Sequence, residues 1–151
     1  MSALPTPPQA PQLSRRARGF GRVLIVLYGL LAIAATGRSV LQLATDFERA
    51  PLPYSLSALA AVVYIVATVA LVIPRESWWR VAVITIGFEL LFVLVVGTLT
   101  VVDPSLFPQK TVWSVYGMYY AFVPLVLPVV GLFWLRRTRP VPAAAAAASG
   151  D

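Results

Sequence analysis

The sequence contains neither cysteine nor histidine, and only 12% of its 151 residues are charged. Without those two side chains the protein has no disulfides, thiol nucleophiles, imidazole bases or usual zinc sites. A soluble domain ordinarily carries about 25% charged residues, so this composition is not typical of one. We therefore expect a non-enzymatic protein with no catalytic residues, no metal and no cofactor.

Apolar residues fill the sequence instead and make up 59% of it. They form four long runs, at about residues 23–43, 54–73, 81–102 and 112–135. A helix of about 20 residues crosses the roughly 30 Å hydrocarbon core of a bilayer. The pattern predicts an all-α membrane protein, with a four-transmembrane-helix bundle over residues 20–137.

Two short tails flank the predicted bundle, at residues 1–19 and 138–151. The first is rich in proline, and the second is rich in proline and alanine. Such compositions are typical of segments that cannot bury enough apolar surface to fold. We expect both tails to be disordered.

The basic residues predict the orientation of the bundle. Nine arginines lie in or beside the two tails and in the loop between the second and third spans, whereas Arg38, Arg49 and Lys110 lie towards the opposite side. Loops rich in lysine and arginine stay in the cytoplasm. Both termini should therefore be cytoplasmic, with the multi-pass chain in the plasma membrane. We expect the lipid bilayer, and no nucleic acid, as the partner of the basic residues.

Two alternatives concern the origin and processing of the chain. Residues 15–34 resemble a secretory signal, with paired arginines before an apolar run and a small-residue cleavage site, so cleavage of the first span is one alternative. The two halves also share a spacing, from Arg22 to Asp46 and from Arg80 to Asp103. Duplication of a two-helix hairpin would produce such a repeat.

Four tryptophans lie near the predicted ends of the spans. They are Trp78, Trp79, Trp113 and Trp134. Tryptophan is enriched where the hydrocarbon core meets the headgroups. We expect each of the four to anchor its helix at a membrane interface.

Glu89 is the only acid deep within a predicted span. It follows Arg80 by nine residues, or about 13 Å along a helix, which is near the bilayer midplane. A charge at that depth costs about 2.5–3.5 kcal/mol, so Glu89 should face the bundle interior or a water-filled cavity. Tyr64 and Pro124 lie at a similar depth, and Thr68 lies one turn further in on the same face as Tyr64. These four residues form a candidate intramembrane polar site.

The role of this site has three alternatives. It can supply hydrogen bonds between helices, act as a proton relay or substrate contact, or lie at a subunit interface. Pro124 and Pro128 should bend the fourth span and leave backbone carbonyls unpaired.

Arg38 and the tyrosines of the fourth span form a candidate outer-leaflet site. Tyr116, Tyr119 and Tyr120 have the spacing of residues on one side of a helix, at about the depth of Arg38. Glu89 lies about 10 Å deeper at the helical rise, so we expect Arg38 to pair with an outer-loop acid or a tyrosine. Arg38, Tyr116 and Tyr120 can bind a lipid or a hydrophobic small molecule, or simply pack.

An enzyme is a further alternative. Ser57 and Ser114 lie just inside the outer ends of their spans, with no histidine or lysine nearby at the same depth. A paired-carboxylate site at Glu89 would need a second subunit. A lipid-modifying activity at the outer surface would use Asp46, Glu48 or Asp103.

Small residues on the first two spans predict close helix contacts. They are Gly29, Ala32, Ala35 and Thr36 on the first, and Ala58, Ala61, Ala67 and Ala70 on the second. Membrane helices associate through such residues. We expect an accessory or scaffold subunit of a membrane assembly, acting as a homo-oligomer or with a membrane-protein partner. The alternative is a small proton-coupled transporter or lipid-binding protein that uses Glu89.

Two segments carry a resemblance to a family, GRSVLQLATDFERAPLPYSLSALAAVVYIVAT and VVDPSLFPQKTVWSVYGMYYAFVPLVLPVVGLFWLRR. They resemble the two halves of small four-helix integral membrane proteins common in actinobacteria. The resemblance covers roughly residues 20–137 and rests on overall pattern. The resemblance implies a fold and a membrane location, but it does not imply an activity. The small multidrug exporters differ, because their essential acid lies in the first helix.

Overall fold

The computed structural model describes the backbone of residues 15–140 and the side chains from residue 18 onward. Within this range the regular structure is helical. The four α-helices are α1 (Arg15–Thr45), α2 (Pro51–Val72), α3 (Glu76–Val102) and α4 (Val123–Arg137). Short 3-10 segments occupy Phe47–Arg49, Pro104–Leu106 and Ser114–Tyr120.

Three helices, α1, α2 and α3, are each long and apolar enough to cross a membrane. They contain 31, 22 and 27 residues, respectively. A span needs about 20 residues, so each exceeds or meets that length. Helical structure over the first three predicted spans is therefore confirmed, and the chain has the helices of a membrane protein.

The tails differ in part from the prediction. Because α1 already begins at Arg15, residues 15–19 are helical, whereas the prediction made them part of a disordered tail. At the other end α4 stops at Arg137, as expected from the two arginines in its last turn. The remaining predicted tail residues, 1–14 and 141–151, lie outside the described residues.

The predicted fourth span is not a single straight helix. Its first part, Ser114–Tyr120, meets α4 at an angle of 99°. Positive φ angles at Val115, Tyr116 and Gly117, and again at Ala121 and Phe122, interrupt the helical backbone. The expectation of one helix over 112–135 is wrong.

Pro124 lies at the start of the helix that follows this break. A proline ring inside a helix clashes with the carbonyl four residues earlier, but it fits in the first helical turn. Accordingly, α4 starts at Val123 with Pro124 in its first turn, and no helical hydrogen bond to residue 120 is lost. The unpaired carbonyl that we expected at residue 120 stays a prediction. Pro128 alone lies inside α4.

The helices pack in chain order. In the described structure α1 lies against α2, α2 against α3, and α3 against both α4 and Ser114–Tyr120. The backbone of α1 approaches that of α4 at few points and does not come close to that of α3. One end of the bundle holds the start of α1, the turn between α2 and α3, and the end of α4. We call it the basic end, because Arg18, Arg22, Arg75, Arg80, Arg136, Arg137 and Arg139 lie there.

Gly97 lets the broken span approach α3 closely. A Cβ atom added to Gly97 would lie 2.5 Å from Cδ1 of Tyr116 and 2.8 Å from its backbone nitrogen. Real side chains essentially never approach that closely. On the same helix, a Cβ added to Gly87 would have nothing within 4 Å.

These two glycines give a matched test of the packing. Gly97→Ala should lower the free energy of unfolding by about 1–3 kcal/mol, because the added methyl group overpacks a filled contact. Gly87→Ala should leave stability unchanged or slightly higher, since alanine is the better helix former. Thermal unfolding in mild detergent measures both. Equal losses in the two variants would contradict the packing of Tyr116 on α3.

Candidate functional site: a polar cluster inside the bundle

Glu89 is enclosed by the bundle, with 0% of its surface exposed. It belongs to the buried face of α3, whose other members recur every three or four residues: Ala82, Ile86, Val93, Val96, Gly97 and Thr100. That spacing follows from the helical repeat of 3.6 residues. The carboxyl group therefore points into protein, as expected from the cost of exposing it to lipid.

Tyr28 of α1 is the hydrogen-bond partner of Glu89. Its hydroxyl donates to Oε2 of Glu89 over 2.8 Å, and both side chains are fully buried. Since the backbones of α1 and α3 do not approach each other closely, this bond crosses the middle of the bundle.

The sequence-based reasoning missed Tyr28, although a signal for it existed. Side chains lean towards the N-terminus of their helix, and α1 and α3 both begin at the basic end. Glu89 therefore leans towards the depth of Tyr28, which follows Arg22 by six residues. Comparing that depth with the depth of Glu89 would have found the pair.

Tyr64 of α2 lies beside this hydrogen bond. Its ring centroid is 6.3 Å from that of Tyr28, with the planes tilted by 53°. Because Tyr28 in turn donates to Glu89, Tyr64 lies next to the hydrogen-bonded pair. The structure thus brings together Glu89 and Tyr64, two members of the predicted intramembrane site.

Trp113 is the fourth member of this group, and we had expected it at the membrane interface. It is instead fully buried, with its ring centroid 5.4 Å from that of Phe92. Hydrogen bonds among Thr111, Trp113 and Ser114 hold the turn that carries it. Its indole interacts with the side chain of Tyr64 without reaching hydrogen-bond geometry. We call Tyr28, Tyr64, Glu89 and Trp113 the central cluster.

Three polar atoms of the central cluster are buried without a hydrogen-bond partner among the described residues. They are Oε1 of Glu89, the hydroxyl of Tyr64 and Nε1 of Trp113. An unsatisfied buried donor or acceptor costs about 1–3 kcal/mol. If these side chains served only to join helices, we would expect each of them to find its hydrogen-bond partners within the cluster. The central cluster instead contains one hydrogen bond and three unused polar atoms.

The other two residues of the predicted site have different surroundings. Thr68 donates its hydroxyl proton to the backbone oxygen of Tyr64 over 2.7 Å, so it serves its own helix. Pro124 is buried against Gly117, where an added Cβ would lie 2.8 Å from its Cδ. Neither side chain forms a hydrogen bond to Glu89 in the described structure.

The structure brings together only part of the predicted outer-leaflet site. Arg38 donates to the Tyr120 hydroxyl over 2.7 Å and also to the backbone oxygen of Lys110. Tyr116 lies elsewhere, with its hydroxyl 3.0 Å from Oγ1 of Thr98. The expected helical row of tyrosines does not exist, because the left-handed residues turn Tyr116 away from Tyr120.

The serines considered for an enzyme are engaged locally. Ser57 donates to the backbone oxygen of Pro53 over 3.0 Å, and Oγ of Ser114 accepts from the backbone N–H of Thr111 over 2.8 Å. Both hydroxyls stabilise the backbone near the ends of helices.

Comparison of this chain with protein-family models, curated proteins and solved structures finds no match. The resemblance to small actinobacterial membrane proteins therefore stays an expectation, and the site must be interpreted from its own geometry.

The central hydrogen bond can be tested with two tyrosine variants. Tyr28→Phe should lower the free energy of unfolding by about 1–3 kcal/mol, because it leaves a buried carboxyl without its donor. Tyr64→Phe should cost less than Tyr28→Phe, since the Tyr64 hydroxyl has no hydrogen-bond partner to lose. Thermal unfolding in detergent compares the two. A larger loss in Tyr64→Phe would contradict the assignment.

Proposed function

We propose that this protein is a small proton-coupled membrane transporter in which Glu89 carries the proton. The observation that supports it best is the enclosed carboxyl group of Glu89, which has one oxygen bonded to Tyr28 and the other unpaired. Intramembrane acids that face a protein interior are typical of proton relays and substrate pathways.

The chemistry of the cluster favours transport over a purely structural role. A carboxyl group can accept and release a proton, whereas a hydroxyl or an amide would suffice to join helices. Oε1 of Glu89, which has no hydrogen-bond partner among the described residues, offers an acceptor to a partner that changes during a cycle. Buried atoms of this kind call for such an explanation in a native structure.

The broken fourth span gives independent support. Discontinuous helices form substrate and ion sites in many transporters. Left-handed backbone at Val115, Tyr116 and Phe122 costs of order 1–3 kcal/mol for each residue, and such residues cluster at ligand sites and switch regions. The Val115 N–H donates to Oγ1 of Thr100 over 2.8 Å, which ties this segment to α3.

The small residues of α1 and α2 give less support to a contact with another subunit than we expected from the sequence. Ala32 and Ala35 on α1, and Ala61, Ala67 and Ala70 on α2, are buried inside the single chain. Because they are already buried within the chain, they offer little surface to another subunit.

For location, we propose the plasma membrane with both termini in the cytoplasm. The support is the bias of nine basic residues against three. The basic end would then face the cytoplasm, because positively charged loops are retained there.

A flux measurement tests the transport proposal. The purified protein is placed in vesicles with an entrapped pH-sensitive dye, and amino acids, sugars, organic cations and short carboxylic acids are added under a proton gradient. At least one class should speed collapse of the gradient above the rate of protein-free vesicles. Glu89→Gln should return that rate to the protein-free level.

Glu76→Gln is the matched control for this measurement. Glu76 is an acid on the same helix, but it is partly exposed and paired with Arg80 over 2.7 Å. Its variant should keep the wild-type rate. Normal flux in a folded Glu89→Gln variant would end the proposal.

A second candidate function is an accessory subunit of a membrane assembly, favoured by the open face of α3 at Gly87. Nothing lies within 4 Å of a Cβ added there, and Ile84 and Leu91 beside it are exposed. Glycine on an exposed membrane helix permits close approach of another helix.

Native mass spectrometry of the protein from its own membrane tests this second candidate. Foreign subunits should appear in the particle, and Gly87→Leu should release them by filling the open face. Particles made only of this chain would argue against an accessory role.

A further inference from the structure

We propose that a pocket at the basic end binds the headgroup of an anionic phospholipid. The pocket has a volume of about 560 Å³ and lies between the end of α2, the turn into α3 and the end of α4. Its lining includes Arg18, Arg75, Arg137, Arg139, Trp79 and Trp134. We call it the basic-end pocket. This proposal does not rest on transport.

The charge of the pocket is of one sign. Its lining holds four arginines and no acid. In the described part of the chain, the ion pairs are Arg49 with Asp46 and Arg80 with Glu76, so no pocket arginine pairs with a carboxylate there. Guanidinium groups bind phosphate through paired, charge-assisted hydrogen bonds. Such a concentration of positive charge is complementary to a phosphate diester.

Aromatic rings hold two of these arginines in position. The Arg139 guanidinium lies 5.4 Å from the ring centroid of Trp79, and that of Arg137 lies 4.3 Å from the ring of Phe133. Stacking on a ring face leaves the N–H groups at the guanidinium edge able to donate. The Trp79 ring is fixed in turn, because its Nε1 donates to the backbone oxygen of Leu135 over 3.0 Å.

The rest of the pocket is apolar, and this favours a lipid over a free phosphate. Its walls include Ala70, Leu71, Ile73 and Leu135. On the same turns of α2, Val69 and Val72 are exposed, which continues the apolar surface along the helix. An anionic phospholipid fits both features, because its phosphate is complementary to the arginines and its acyl chains to the apolar walls. Basic pockets on the cytoplasmic side of membrane helices bind acidic lipid heads in this way.

Native mass spectrometry with added lipid tests the proposal on the full chain in mild detergent. Wild-type protein should retain phosphatidylglycerol and should not retain phosphatidylcholine. Arg75→Gln combined with Arg137→Gln should weaken phosphatidylglycerol binding by about ten- to a hundredfold, as expected when charge-assisted hydrogen bonds are removed. Both arginines are exposed, so folding should persist. Arg18→Gln combined with Arg139→Gln is a second pair with the same expectation.

Arg22→Gln combined with Arg136→Gln is the matched control. Both residues are exposed at the basic end but lie outside the pocket lining, so the charge change is identical. This variant should bind phosphatidylglycerol like the wild type. Equal weakening in control and pocket variants would overturn the site, as would equal binding of phosphatidylcholine. Glycerol phosphate binding as tightly as the lipid would overturn the lipid assignment in favour of a soluble phosphoester.

Discussion

The hydrogen bond between Tyr28 and Glu89 is the interaction around which the bundle is arranged. It joins α1 to α3, two helices whose backbones do not approach each other closely in the described structure. A carboxyl group that costs several kcal/mol in lipid must lie inside, and α2 and α4 must close around it. Gly131 of α4 lies beside this hydrogen bond, since a Cβ added there would be 3.8 Å from the Tyr28 hydroxyl, an ordinary packing distance.

The break in the fourth span has consequences at both ends of the bundle. Because the chain turns by 99° before α4, Trp113 reaches the interior and Tyr116 packs on Gly97. Only 15 residues remain for α4, about 22 Å of helix. That short helix still ends among the arginines of the basic end, where Trp134 packs on Gly21 and helps to form the basic-end pocket. One irregular segment thus affects both proposed sites.

Much of the fold was predictable from apolar run length, whereas the partners within the site were predictable only in part. The inward direction of Glu89 followed from the cost of a charge in lipid. Its partner Tyr28 was missed, because partners of Glu89 were expected on the antiparallel second and fourth helices. The burial of Trp113 was also missed, since the position of a tryptophan near a span end is the same for an interfacial anchor and for a core residue.

The fourth span marks the limit of pattern-based reasoning. Its composition is that of a membrane helix, and Pro124 was recognised as a source of bending. Whether a proline bends a helix or begins one depends on the backbone before it, which here is left-handed and held by contacts with α3.

The sequence by itself determined that three apolar helices are long enough for a membrane, that an acid lies deep within one of them, and that positive charge collects at one end. These properties depend on composition and spacing along the chain, which local physics converts directly into helices and burial. Only the tertiary structure decided which side chain meets Glu89, where the fourth span breaks, and that four arginines surround one pocket. Those outcomes depend on how each helix is rotated about its axis and on contacts between residues far apart in the chain. The hydropathy pattern contains no information on either.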